Sequence, residues 1–291
     1  MKFLILALCA AAATYAPRPE ELQLERALPI DGLVRAEPSG LAMVGGVLYC
    51  VSDNHTDDIY KLTLESDRAV MEPVIPVGIP DGVRGDFEGI VGDGEGGFYL
   101  ASETEFRILH VPGKGKPSVW VTPSLQDTGK ASGLFRFPGA FFEGIALLGP
   151  NRFALCAERQ PRGLMYVEGG EDPPKAESFV LMEATVQPRG IRFPDFTDLC
   201  HFGSSLYALE RNAEIISTIE RDEKGVRVVP WRSFRETVDL ETYRYVDRRF
   251  GMAEGLAFDA TRVYVVLDNN GVARESNKDD ARPILFIFRQ P

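Results

Sequence analysis

Histidine is scarce in this chain: His55, His110 and His201 are the only three, at unrelated places, which argues against a histidine-rich zinc centre. Cysteine is scarce too, with four in 291 residues. Once Cys9 is set aside, Cys50, Cys156 and Cys200 lie singly in apolar runs (LYCVSD, FALCAER, TDLCHF). An odd, scattered set is no disulfide framework, and these thiols read as small buried hydrophobes. No G-x-S-x-G elbow occurs, so a serine esterase of the α/β type lacks its nucleophile. Walker and dinucleotide fingerprints are missing as well; Gly113-Lys114-Gly115-Lys116 is a turn without the required strand and helix.

Positive charge is also in deficit. Acidic residues outnumber basic ones 43 to 32, for a net charge of -11 and a pI near 4.9. Nucleic acid and anionic membranes are therefore poor partners. Long apolar runs are absent, since the longest, Phe3–Ala13, is too short to span a bilayer. Behind Lys2 and ahead of Ala11-Ala12-Ala13 it reads as an export leader over residues 1–16, leaving 17–291 as one soluble, monomeric domain in the periplasm or secreted. Cys9 follows Leu8, not the small residue expected before a lipidated cysteine, so soluble export is favoured over a lipid anchor.

What the chain does have is glycine (28), proline (20) and a repeat. Five segments share one pattern: a signature, a short apolar run, a turn, and a second run ending in polar residues. They begin at Ser39-Gly40-Leu41, Glu88-Gly89-Ile90, Glu143-Gly144-Ile145, Thr197-Asp198-Leu199 and Glu254-Gly255-Leu256. Taken at residues 40, 89, 144, 198 and 255, the signatures lie 49, 55, 54 and 57 residues apart. Each interval holds a third alternating run (IYKLTL, RILHV, LMYV, IISTI, ILFIF) and usually a fourth (VMEPVIPV, SVWV, SFVLM, VRVVPW). Period-two alternation bounded by Gly, Pro, Asp and Asn is the strand signal. Four short strands repeated five times predict an all-β, five-bladed β-propeller. The fifth repeat supplies three strands, and Leu22–Leu28 is expected to complete it beside Pro283–Phe288. The inserts at 124–140 and 232–251 are expected as loops on one face.

Antiparallel hairpins return the end of the second strand to the start of the first. Every signature and every polar cluster therefore belongs on one face, around the axis. Glu88, Glu143, Asp198 and Glu254 form a ring there, with Ser39 offering a hydroxyl in the first repeat. Carboxylates crowded in a small space share protons or hold a cation. Oxygen-only donors in a wide ring favour Ca2+ over Zn2+ and Mg2+. Around the ring stand Asp53, Glu103, Glu158, Glu210 and Asp268, with Arg159 and Arg211 beside them. Arg84 and Arg249 lie just upstream of two signatures. These form a candidate surface for a small anionic ligand. Chemistry on such a face would be metal-assisted, the cation polarising an ester and activating water while Glu143 or Glu254 takes a proton.

The motifs SGLAMVGGVLYCVSDN, DFEGIV…FYLASE, FFEGIAL…FALCAER, DFTDL…LYALERN and AEGLAFD…VYVVLDNN resemble the esterase-like phytase family. The same five-signature rhythm is similar to the SdiA-regulated family, whose five-bladed propeller is associated with calcium. The first resemblance implies phosphoester or ester hydrolysis; neither carries over a set of catalytic residues. Two readings stand at this point: a calcium-dependent hydrolase, or a non-catalytic propeller with purely structural calcium whose arginine-rich face recognises a ligand or protein.

Overall fold

A computed structural model describes residues 15–113, 115–170, 173–190 and 192–291; the leader expected over residues 1–16 lies, as far as Thr14, outside the described residues. The chain enters on β1 (Gln23–Asp31) and continues through β2 (Pro38–Val44), β3 (Val47–Ser52), β4 (Asp58–Leu64) and β5 (Ala69–Pro76). Next come β6 (Phe87–Gly92), β7 (Phe98–Ser102), β8 (Arg107–Val111) and β9 (Val119–Trp120), then the short helix α1 (Gln126–Ser132). They are followed by β10 (Phe142–Gly149), β11 (Arg152–Ala157), β12 (Gly163–Glu168) and β13 (Lys175–Val180). A further set is β14 (Asp198–Phe202), β15 (Ser205–Glu210), β16 (Ile215–Asp222) and β17 (Gly225–Ser233), leading into the one-turn helix α2 (Arg235–Val238). The chain closes on β18 (Ala253–Phe258), β19 (Arg262–Leu267) and β20 (Ile284–Arg289).

These strands build an all-β, propeller-type fold. β6–β9, β10–β13 and β14–β17 each form a four-stranded antiparallel sheet, and the remaining strands form one eight-stranded sheet in the order β18-β19-β20-β1-β5-β4-β3-β2. As the alternation in Leu22–Leu28 predicts, β1 pairs antiparallel with β20, Leu28 opposite Leu285 and Gln23 opposite Arg289. The sequence implies a separate quartet for each repeat, but hydrogen bonding joins two of them. The end of β1 runs on far enough for Ile30 and Asp31 to pair in parallel with Ala69 and Val70 of β5.

Burial follows position in each sheet. β19 and β20 are covered on both faces and read as continuous apolar runs (RVYVVL, ILFIFR), whereas the outer strand β13 is half-exposed throughout. The core is laid down as apolar layers between neighbouring sheets, such as Val51, Ile59, Phe87 and Leu100 in one and Ala154, Leu164, Leu199 and Ala208 in another. Burial of such side chains contributes about 25 cal/mol per Å² of apolar surface removed from water.

The first strands of the units close a ring: β2 packs on β6, β6 on β10, β10 on β14, β14 on β18, and β18 on β2. Signature glycines permit the contact. A Cβ on Gly89 would stand 2.8 Å from the Glu143 carbonyl oxygen, and one on Gly144 would stand 2.6 Å from Asp198 Cα. The two inserts expected as face loops contain α1 and α2. The first helix stops at Gly133, whose φ of 96° suits glycine, with its N–H donating to the Gly129 and Lys130 carbonyls. No helix among the described residues is long and apolar enough to cross a membrane.

Candidate functional site

The hairpins deliver the signatures and the strand-ending acids to one face by a bond that recurs. The N–H groups of Asp53, Glu103, Glu158 and Asp268 donate to the carbonyls of Glu37, Asp86, Phe141 and Met252, each a few residues before the inner strand's signature. Ser39, Glu88, Glu143 and Glu254 each fall where the inner strand slips register against its partner: between Pro38 and Gly40, Phe87 and Gly89, Phe142 and Ile145, and Ala253 and Gly255. A bulge leaves a residue unpaired and re-aims its side chain, so these four leave the alternation of their strands. Asp198 has no bulge and sits in regular register opposite Leu209. Its carboxylate is fully buried and accepts from backbone N–H groups of its own and two other inner strands: Leu199 at 2.8 Å, Leu256 at 2.7 Å and Leu41 at 3.5 Å. The structure thus places Asp198 as a tie between β14, β18 and β2.

Carboxylate oxygens of Asp53, Asp86 and Glu88 come within 4.8 Å of one another. Asp86 is a residue the sequence reading missed. Its signal is the D-x-E spacing before Gly89, echoed by Glu37 before Ser39; both acids hold left-handed backbone, at φ 44° and 36°. Burial, and then the charges of Asp53, Glu103, Glu254 and Asp86, push Glu88 well above the usual carboxylate range. Glu143 is raised in the same way by burial and by Glu88, Glu254 and Glu103. Burial carries Glu103 up to about 7 and Asp268 to about 8, with neighbouring acids adding to both. Asp53 is raised by burial and by Asp86.

On the other side of the ring Arg211 makes contacts to three acids. Its Nη1 donates to Glu254, its Nη2 to Glu158, and its Nε to Asp195 at 3.0 Å. Burial would lower the guanidinium's pKa, but Glu254, Asp195 and Glu143 reverse that and raise it. Glu254 is nevertheless raised overall by burial, against the pull of Arg211, and its Oε2 is buried without a hydrogen-bond partner. Arg159 pairs with Glu158 and donates to the Gly139 carbonyl at 3.1 Å.

Other predicted residues stand apart. Glu210 is enclosed in a structural network, accepting from Arg162 Nη1 at 2.6 Å, from Thr185 and from Ser217. The Ser39 hydroxyl lies 3.5 Å from the Glu37 carbonyl oxygen to which it donates. Arg84 is largely exposed, 3.9 Å from Asp86, and Arg249 is held by Asp247 in an exposed local pair. Asp195, also missed, is anchored by the Asn212 N–H at 2.9 Å.

The donor set suits a hard cation. Every ligand atom is oxygen, and separations of no more than 4.8 Å let all three reach one ion at Ca–O distances of roughly 2.4 Å. An unpartnered buried carboxylate oxygen on Glu254 is a further polar atom in want of a positive neighbour.

A family model described as phytase-like, esterase-like activity of phytase, matches residues 36–271. No curated relative matches the chain. Among solved structures, glutaminyl cyclase of Myxococcus xanthus is similar at 16% identity and a TM-score of 0.55, over 95% of this chain and 100% of that one. A PQQ-bound aldose sugar dehydrogenase from Streptomyces coelicolor is similar at 15% identity and a TM-score of 0.50, over 94% and 99%. At such identities the likeness is one of fold.

Proposed function

The chain belongs to the phytase-like family, and from that premise we propose that it is a calcium-dependent hydrolase of phosphate or carboxylate esters, working at the axis of a five-bladed β-propeller outside the cytoplasm. The five-bladed reading is supported by the closed ring of inner strands and by the two-residue parallel joint that divides the eight-stranded sheet into two quartets. Export rests on Lys2 and the apolar run behind it.

The observation that carries the hydrolase reading is the triad Asp53, Asp86 and Glu88 beside raised carboxylates on the same face. Asp53, Asp86 and Glu88 would hold the calcium, with Glu254 and Ser39 towards the axis. Bound there, the ion supplies Lewis acidity to an ester oxygen and acidifies a water. Glu103, a half-buried carboxyl among these acids, would be the residue to take a proton from the attacking water. Glu143, raised well above the usual carboxylate range by burial and by Glu88, Glu254 and Glu103, is suited to give a proton to a departing oxygen. Arg211 holds Glu254 and Glu158 in place, and Arg159 is a second partner for Glu158.

Hydrolysis of 4-nitrophenyl phosphate and 4-nitrophenyl acetate, with calcium and then with EDTA, tests the reading. Turnover that chelation abolishes and Glu143→Gln sharply reduces is the expected result. The alternative, a binding propeller with structural calcium, is favoured by the backbone tie of Asp198 and the internal pairing of Arg211. It predicts a melt lowered by chelation and no turnover of either ester.

A further inference from the structure

The acidic face is divided into two unlike halves. Asp53, Asp86 and Glu88 come from the first two repeats. Over the other three opens a hollow of about 420 Å³, lined by Phe137, Phe193 and Phe250 above Glu158, Arg159 and Arg211. It adjoins a second groove of about 470 Å³ that shares Phe137 and Phe193 and adds Met182 and Pro194. The three phenylalanines come from equivalent loops, lying six, five and four residues before Glu143, Asp198 and Glu254. In the first two repeats Val34 and Val83 stand five residues before Ser39 and Glu88.

Phe137 and Phe250 are 44% and 48% exposed, although buried positions take most of the chain's phenylalanines. Grouped aromatic side chains left in water beside polar residues mark a place where something apolar binds. The rings of Phe193 and Phe250 lie 5.6 Å apart at 40°, and the Arg159 guanidinium sits 5.5 Å from the Phe137 ring and 5.6 Å from that of Phe193. Phe193 and Phe250 are thus already paired, and the exposed parts of Phe137 and Phe250 are left for another ring in offset or edge contact. The floor does not call for a second anion: Arg211 is met by Glu158, Asp195 and Glu254, and Arg159 by Glu158. An uncharged group fits the hollow, and the charged end of a ligand fits the cation side.

Building on the calcium-hydrolase reading, we propose that the substrate is a phosphate ester bearing an aromatic ring. The ring occupies the Phe137–Phe193–Phe250 hollow, and the phosphoryl oxygens face the Asp53–Asp86–Glu88 side. These phenylalanines set specificity and take no part in the proton transfers.

Phenylphosphonate and methylphosphonate share a headgroup, cannot be hydrolysed as esters, and differ only in the ring. Their affinities for the calcium-loaded protein are measured by calorimetry, in the unaltered chain and in Phe137→Ala and Phe250→Ala, with a thermal melt of each. The expected result is phenylphosphonate at least about tenfold tighter, with the ratio falling towards one in both variants. Equal affinities in the unaltered chain, or a ratio unmoved by the substitutions, overturn the hollow as the ring site while leaving the calcium-hydrolase reading intact. Binding of neither phosphonate overturns this proposal and the phosphate-ester form of that reading, and leaves the carboxylate-ester form to the 4-nitrophenyl acetate assay. Phe250→Leu, which keeps the apolar bulk, serves if the alanine variant lowers the melt, and it too must weaken the preference for the ring.

Discussion

Arg211 bridges Glu254 and Glu158, donating through one terminal nitrogen to each, and reaches Asp195 with its Nε at 3.0 Å. The link joins the end of one hairpin to the signature of the next repeat, so the two cannot move independently. It also divides the acids of the pore into a set neutralised by protein and a set left for a cation or a proton.

Replacing Arg211 by Ala takes the ion-pair partner from half-buried Glu254 and buried Asp195 and leaves Glu158 with Arg159 alone. Loss of one member of such a network costs about 3–5 kcal/mol. Urea unfolding of Arg211→Ala measures the loss, and Arg211→Met with Glu254→Gln is expected to recover part of it. Recovery would be absent if the two side chains did not interact.

Asp198→Ala removes the acceptor shared by the Leu199, Leu256 and Leu41 N–H groups. Stability falls by about 1–3 kcal/mol, the cost of stranding buried donors, while calcium binding persists. A variant that melts as before but binds no calcium would make Asp198 a ligand and not a tie.

Gly89→Ala sets a Cβ against backbone of the next inner strand, 2.8 Å from the Glu143 carbonyl oxygen and from Ile145 N. Backbone cannot step aside as a side chain can, so a loss of about 1–3 kcal/mol or more is expected in the denaturant midpoint. Unchanged stability would mean that the inner ring is looser than these contacts imply.

Glu103 and Asp268 are raised to about 7 and about 8 from ordinary values of 4.5 and 3.8. Between those limits the folded chain keeps protons that the unfolded chain has lost, so stability falls as pH rises. Without metal, the contribution of these groups to the melting temperature is highest below about pH 4 and declines through about pH 8. Saturating calcium removes most of the decline, since the ion replaces the protons. Melts across pH in EDTA and in calcium check both arms; parallel curves would deny the ion a place among these acids.

The repeat made the fold legible. Five signatures in register fixed the inner strands, and the alternation in Leu22–Leu28 marked the strand that meets β20. The joint between Ile30 and Ala69 was not legible, because it depends on how far β1 outruns its partner. At the site, the spacing brought Glu88, Glu143 and Glu254 to one face but did not distinguish Asp198. Only the missing bulge turns that carboxylate onto backbone. Asp86 escaped notice because its repeat equivalents in the last three units are Phe141, Phe196 and Met252, so the motif hides an acid that matters in one blade. Glu210 matched the pattern of the other strand-ending acids, but Arg162, 1% exposed, claims it.

Calcium titration of the metal-free chain, followed by calorimetry at neutral pH, tests the central claim most directly when repeated on Glu88→Gln and Asp86→Asn. The account predicts about one ion per chain and a loss of at least about tenfold in affinity in each variant. No binding by the unaltered chain, or equal binding by all three, would contradict it.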